Sequence, residues 1–404
     1  MQGWKNPLLY ILGIGISNLG NWIYLVAINL LVLDMTGSPA AVAGLFVIRP
    51  LAVLLTNSWS GSIIDRANKR FLMIGADLVR GILVAVLPFL SSIWAIYGVM
   101  FLISMAGAFF GPSSMVYVTK LIAPEQRKRF NAMTGFASSG AALVGPAVSG
   151  LLIMQFNTSV SILINAASFL ICAFLISLLP DVDLESDTAV TAGKRRLAAV
   201  AEDWKAVFSF ARSAPYFIAI YLLFQTVMMF SFALDSQEAT FIKQVIGLQD
   251  RDYGLLVSVA GAGYLAGSSC AAFVSSRVPL RMYISAGVLL SSVGYGIFYS
   301  ASGMVSAAIG FLVFGFFSSF ANTGYATFYQ NNVPVGIMGR FGSIASLLEG
   351  GAQIALTLLL GATAEVFQLQ MVSLIAAGLA IAVSIVLFAV VYSPDRRSHY
   401  EAKS

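Results

Sequence analysis

The ionisable side chains embedded in apolar sequence are the residues most able to do chemistry in this chain. Asp77 and Arg80 stand three apart in a helical register, share a face and can neutralise each other as an ion pair. Arg49 is followed directly by Pro50, where a helix kinks, and needs an acidic or carbonyl partner or an anionic ligand. Asp235 and Glu238 repeat the three-residue spacing. Two like charges so close discourage simultaneous ionisation, which suits proton uptake. Glu349, beside Gly350, Gly351 and Gln353, is a lone carboxyl within an apolar run. Each is expensive to hold in hydrocarbon and is therefore a functional candidate. Asp235 and Glu349 lead as proton-coupling residues, with Asp77 and Glu238 behind them.

Other chemistry is absent from the pattern. The single histidine, His399, lies near the C-terminus, and Cys172 and Cys270 both fall in apolar runs, so no disulfide framework and no His/Cys metal site is expected. No cofactor is implied. Gly261 and Gly263 lie within a span with no Lys-Ser/Thr behind them, which disfavours a phosphate loop and ATP-driven work. An intramembrane enzyme finds no Ser/His pair or paired mid-span aspartates.

The composition says what must position these groups. Of 404 residues, 58% are hydrophobic and 10% charged, too few charges for a water-facing surface. Apolar runs long enough to cross a bilayer cover about 8–33, 39–60, 71–91, 94–118, 131–155 and 158–179, then 216–237, 253–275, 282–300, 303–327, 342–364 and 370–392. The expected fold is therefore an all-α membrane protein of twelve transmembrane helices. The first run has no small-residue cleavage site after it and reads as a retained span. A first bundle of six covers 1–180, a linker 181–214, a second bundle of six 215–393 and a tail 394–404. The linker opens acidic at Asp181, Asp183, Glu185 and Asp187, turns basic at Lys194, Arg195 and Arg196, and closes on an amphipathic stretch through Trp204, Val207 and Phe208.

Of the 23 basic residues, 19 fall on one side of this arrangement, and Lys243 and Arg251 alone in the opposite loops. By the positive-inside rule both termini and the linker are cytoplasmic. The net charge of +5 follows from topology and gives no support to nucleic-acid binding. A shift of 211 residues places Arg66 on Arg277, Arg70 on Arg281, Gly140 on Gly351 and Gly150 on Gly361. Two pseudo-symmetric bundles with a cavity between them suit alternating access.

The stretch from Gly61 to Arg70, G-S-I-I-D-R-A-N-K-R, resembles the signature loop of the major facilitator superfamily, with Asp65, Arg66, Lys69 and Arg70 at the matching positions. Ile63 and Asn68 depart from the pattern, Asn68 replacing a glycine, and Asn tolerates positive φ best after glycine. Gly145, Pro146 and Gly150, in A-A-L-V-G-P-A-V-S-G, resemble the Gly-Pro element of antiporters in that superfamily. The segments F-F-G-P-S-S, L-I-A-P-E-Q-R-K-R-F-N-A and V-P-V-G-I-M-G-R-F are similar to its macrolide-efflux-like branch of drug:proton antiporters.

The resemblance implies a multi-pass transporter in a bacterial inner membrane, acting as a monomer and exchanging protons for an amphipathic small molecule. It also implies a gating latch formed by Gly61, Asp65, Arg66, Lys69, Arg70 and Arg80, locking one access state against the partner bundle. Many drug antiporters of the superfamily carry an acidic residue in the middle of their first span, where this chain has Asn18 and Asn21. Those amides, with Trp22, Arg49, Gln225, Met229 and Gln353, are candidates for contact with substrate, since Met and aromatic side chains adapt to varied ligands. An alternative substrate is a siderophore, peptide antibiotic or lysolipid whose acidic group meets Arg49. A non-transporting membrane sensor or scaffold is the alternative of another class.

Overall fold

The computed structural model describes residues 4–183, 197–274 and 277–393, with the side chains of 57–59, 61, 62, 65, 66, 124, 125, 127–129, 131, 132, 197–203, 335, 336, 339 and 343 left aside. The described residues form helices and no strand. They are α1 (Lys5–Thr36), α2 (Pro39–Arg66), α3 (Lys69–Val86), α4 (Ile93–Leu121), α5 (Pro124–Gln155), α6 (Thr158–Ser177), α7 (Leu197–Ser213), α8 (Pro215–Asp235), α9 (Glu238–Thr240), α10 (Asp250–Val274), α11 (Leu280–Tyr299), α12 (Met304–Asn332), α13 (Val335–Val366) and α14 (Leu369–Val391). All but α7 and α9 contain a stretch long and apolar enough to cross a membrane, which makes twelve such helices among the described residues.

The repeat seen in the sequence governs where helices begin. Helices α2 to α6 start at residues 39, 69, 93, 124 and 158, and α10, α11, α12, α13 and α14 start at 250, 280, 304, 335 and 369, each 211 later. Local chemistry sets these boundaries. Ser38 caps α2 by accepting from the N–H of Ala41, with Pro39 in the first turn, and Asn157 caps α6 by accepting from Val160. Gly37, at φ 63°, ends α1 in the left-handed conformation. Pro50, Pro112 and Pro146 lie inside α2, α4 and α5.

One expectation is corrected here. Asn68 has φ −65°, so it replaces no left-handed glycine; its side chain accepts from the N–H of Phe71 and caps α3. The turn needs a short side-chain acceptor at that position, which Asn supplies.

The chain divides into two compact units. The first comprises residues 1–193 together with Gln249–Ser258, so the start of α10 belongs with α1 to α6. Its cores gather Ile28, Val84, Ile162 and Phe169 in one cluster and Tyr10, Met73, Tyr117 and Ile176 in another. The second comprises 194–248 and 259–404, with a core built on Phe217, Phe224, Ile284, Phe328 and Phe341. Val207 of α7 is buried in that core while Phe208 stays exposed, the division an amphipathic helix needs. The linker segment 184–196, with Glu185, Asp187 and the Lys194 to Arg196 cluster, and the tail from 394 lie outside the described residues. Exposed Phe89, Trp94, Phe273 and Val366 show that the outer surface is apolar, as contact with lipid requires.

Candidate functional site

Glu349 is a carboxyl of the second unit that borders a cavity. It projects from the middle of α13, half-buried, and its Oε1 accepts from the hydroxyl of Tyr221 and from Nε2 of Gln225, both on α8. Tyr221 and Gln225 are four apart and so share one helix face. Beside them lies a cavity of about 80 Å³ lined by Gln225, Met228, Met229, Glu349 and Gln353. Below it, Phe224 stacks on Tyr325 at 4.0 Å, and the Tyr221 ring meets Phe341 edge-on at 5.1 Å. A carboxylate held by two neutral donors beside a cavity can change charge without a fixed cation being left behind. The methionines beside it offer an adaptable apolar wall.

Asp235 and Glu238 lie at the end of α8 and in α9, with Glu238 buried. Asp235 Oδ1 accepts from the hydroxyl of Tyr295 on α11, and Glu238 is within hydrogen-bonding reach of Asp235. A π-helical turn, Phe241–Val245, follows directly. This pair is separate from the residues lining the Glu349 cavity.

In the first unit the Asp77 and Arg80 pair is formed, Arg80 Nη1 to Asp77 Oδ1 at 3.1 Å, with the Asp77 side chain fully buried. The Arg80 guanidinium lies over the Phe169 ring at 3.9 Å. Arg49 is exposed on α2 and has no hydrogen-bond or ion-pair partner among the described residues. Asn18 Nδ2 donates to Ser138 Oγ at 3.0 Å and thus ties α1 to α5, while Asn21 and Trp22 are half-buried on α1.

The Gly-Pro element has a packing role. A Cβ on Gly145 would meet the Cβ of Trp22 at 2.5 Å, and one on Gly150 would meet the backbone carbonyl of Arg251 at 2.7 Å. Residues without side chains are needed there because α5 presses its backbone against α1 on one side and the start of α10 on the other. Ser149 adds a hydrogen bond of 2.7 Å to the carbonyl of Ile23.

Gly61, Asp65 and Arg66 lie in the last turns of α2, and their side chains are outside those described. The bonds described for the rest of the signature loop stay within the first unit. Lys69 Nζ donates to the carbonyl of Ala67 at 2.8 Å, and Arg70 donates to the carbonyls of Ile176 and Ser177 at the end of α6. The acidic start of the linker closes the group. Asn68 Nδ2 donates to Asp181 Oδ2 at 2.7 Å, the N–H of Lys69 to Asp183 Oδ2 at 2.7 Å, and Lys120 Nζ to Asp183 Oδ1 at 2.6 Å. Partial burial pushes the Asp183 carboxyl up, but the Lys120 hydrogen bond, the Lys69 N–H and both cationic charges outweigh it and hold it below the usual carboxylate range.

Sequence reasoning does not single out Tyr221, Tyr295 or Asp183 as partners of these groups. Tyr221 has a weak signal, standing one helical turn before Gln225. Asp183 has none, being 114 residues from Lys69.

The chain matches the family model of the Major Facilitator Superfamily across residues 10–356. It is similar to the uncharacterized MFS-type transporter YfiS of Bacillus subtilis (strain 168), 27% identical over 342 residues, which cover 82% of this chain and 80% of that protein. A shorter likeness joins it to the multidrug resistance protein MdtH of Salmonella typhimurium (strain LT2), 28% identical over 182 residues, 44% of this chain and 45% of that one. Among solved structures it shares the fold of the nucleoside transporter NupG, with a TM-score of 0.70, 15% identity and coverage of 96% and 100%. It shares it also with a POT family transporter in complex with a thioalcohol-conjugated peptide, with a TM-score of 0.75, 10% identity and coverage of 95% and 96%.

Proposed function

Because the chain belongs to the major facilitator superfamily, we propose that it is a secondary active exporter in which protons enter through Glu349 as an amphipathic small molecule leaves. The observation that carries this reading is the placing of Glu349 at a cavity walled by Met228 and Met229, with Tyr221 and Gln225 donating to its carboxylate. The two donors meet on one oxygen of that carboxylate. An incoming proton removes the charge those donors serve, and so alters the free energy of the site between one access state and the other. Substrate and proton then compete for one polar pocket, which is what exchange requires.

Asp235 and Glu238 form a second protonatable site in the same unit, suited to passing a proton on. The signature loop, Asp65 and Arg66 included, acts as the latch of one access state. Both termini face the cytoplasm of a bacterial cell, and the chain works as a monomer by alternating access. The likeness to a multidrug resistance protein supports a drug-like substrate, though it spans less than half of that relative.

The test is efflux from proteoliposomes driven by an imposed pH gradient, using a fluorescent amphipathic dye. Wild type should concentrate dye uphill. Glu349→Gln should bind dye and exchange it downhill while failing to concentrate it. Equal uphill transport by Glu349→Gln overturns the assignment.

A further inference from the structure

The linker helix α7 has two faces of different chemistry. Val207 is buried in the core of the second unit, and the Phe210 ring meets Phe217 of α8 at 5.7 Å and Phe341 of α13 at 5.9 Å. These contacts fix the inward face. On the outward face Lys205, Phe208, Ser209 and Arg212 are all exposed, and successive helical turns set them in one stripe. The half-buried Trp204 ring stacks on Phe208 at 5.9 Å and braces it. Lys205 and Arg212 have no hydrogen-bond or ion-pair partner among the described residues.

The neighbours of this stripe set its depth. Only Ala214 separates α7 from α8, a helix of membrane length, and Phe217 stands in the first turn of α8. Phe210 therefore packs where a span enters the bilayer, at the level of the lipid headgroups. Arg212 follows in the same helical turn. The charge of the segment has one dominant sign: from Lys194 to Ser213 the chain carries Lys194, Arg195, Arg196, Lys205 and Arg212 against Glu202 and Asp203.

An exposed aromatic ring between two uncompensated cations, held at headgroup depth, matches one partner chemistry. The ring gains by leaving water for the membrane interface, while ammonium and guanidinium groups take phosphate oxygens. An acidic protein would match the charges and leave the exposed ring and its depth unused. A cluster of about four to eight Lys and Arg on such a helix is what an anionic membrane surface attracts, at about fivefold in affinity per charge.

We propose that the outward face of α7 binds anionic phospholipid headgroups in the leaflet at which α8 begins, with Lys205 and Arg212 on the phosphates and Phe208 set in the interface between them. Lipid binding here goes beyond the export reading and does not depend on it.

The experiment uses the full chain carrying Cys270→Ala and Ser209→Cys, labelled at position 209 with bimane, Cys172 being buried. The protein is placed in phosphatidylcholine nanodiscs with a small fraction of phosphatidylglycerol or phosphatidylcholine spin-labelled near the top of one acyl chain. The relative association constant, read from quenching against spin-lipid fraction, should favour phosphatidylglycerol by about 25-fold, fivefold for each of the two cations. Arg212→Gln should lower that preference about fivefold. Both cations are exposed and unpartnered, so this variant should unfold at the wild-type temperature in pure phosphatidylcholine.

A second measurement needs no charge variant. The wild-type preference should largely vanish at about 1 M NaCl, where the Debye length is about 3 Å. Equal association of the two lipids, or a preference that neither Arg212→Gln nor salt reduces, overturns the proposal. So does absence of quenching by either lipid, which would leave the stripe to a soluble acidic partner. Failure of pH-driven dye efflux in wild type would sink the export reading and leave these measurements untouched.

Discussion

Gly254 lies against Pro146 so closely that a Cβ on Gly254 would overlap the Pro146 carbonyl oxygen and approach the nitrogen of Gly150 at 3.0 Å. The Gly-Pro element thus acts as a flat seat for the start of α10 within the first unit. Backbone, which cannot rotate aside, is what any added atom would meet. Gly254→Ala should destabilise the protein by about 1 to 3 kcal/mol, the usual cost of overpacking. Detergent-solubilised protein should show this as a lower midpoint in size-exclusion thermal unfolding. A wild-type midpoint would mean that the crossing is loose.

Asp183 holds the N–H of Lys69 and the ammonium of Lys120 together. Its carboxyl is depressed in the folded protein, so the stability it contributes is present above the ordinary carboxylate range and is lost as pH falls through the folded value. Asp183→Asn should lower stability at pH 7 by no more than about 1 kcal/mol, because Lys120 is solvent-accessible. The difference from wild type should shrink on acidification toward pH 3. A difference that is constant across this range would show that charge is not what matters there.

Tyr221 and Gln225 supply the two donors to Glu349. Tyr221→Phe removes one donor and keeps the ring that packs on Phe341. Uphill dye efflux should fall about 5- to 30-fold, corresponding to one hydrogen bond of roughly 1 to 2 kcal/mol, without being abolished. Efflux at the wild-type rate would remove Tyr221 from the coupling site.

The orientation is tested by cysteine labelling in a Cys270→Ala background, Cys172 being buried. A cysteine at position 190 in the linker should react with an impermeant maleimide only after permeabilisation. One at position 246, between α9 and α10, should react in intact cells. The reverse pattern would invert the topology.

The twelve spans, the linker helix and the 211-residue repeat were legible in the sequence, because crossing a bilayer demands about 20 apolar residues and leaves charges at the ends. Such signals are local, and composition alone carries them. The Asp77 and Arg80 pair was legible for the same reason, since a three-residue spacing on one helix fixes its geometry. The partners of Glu349 were not: Tyr221 and Gln225 lie 128 and 124 residues away, and only the packing of α8 against α13 brings their donors to one oxygen. Tertiary structure likewise decided that Asn68 is a cap, that the acidic linker opening folds back onto Lys69 and Lys120, and that Gly150 serves close helix contact. These roles depend on which surfaces meet, and apolar helices of similar composition carry little record of their neighbours.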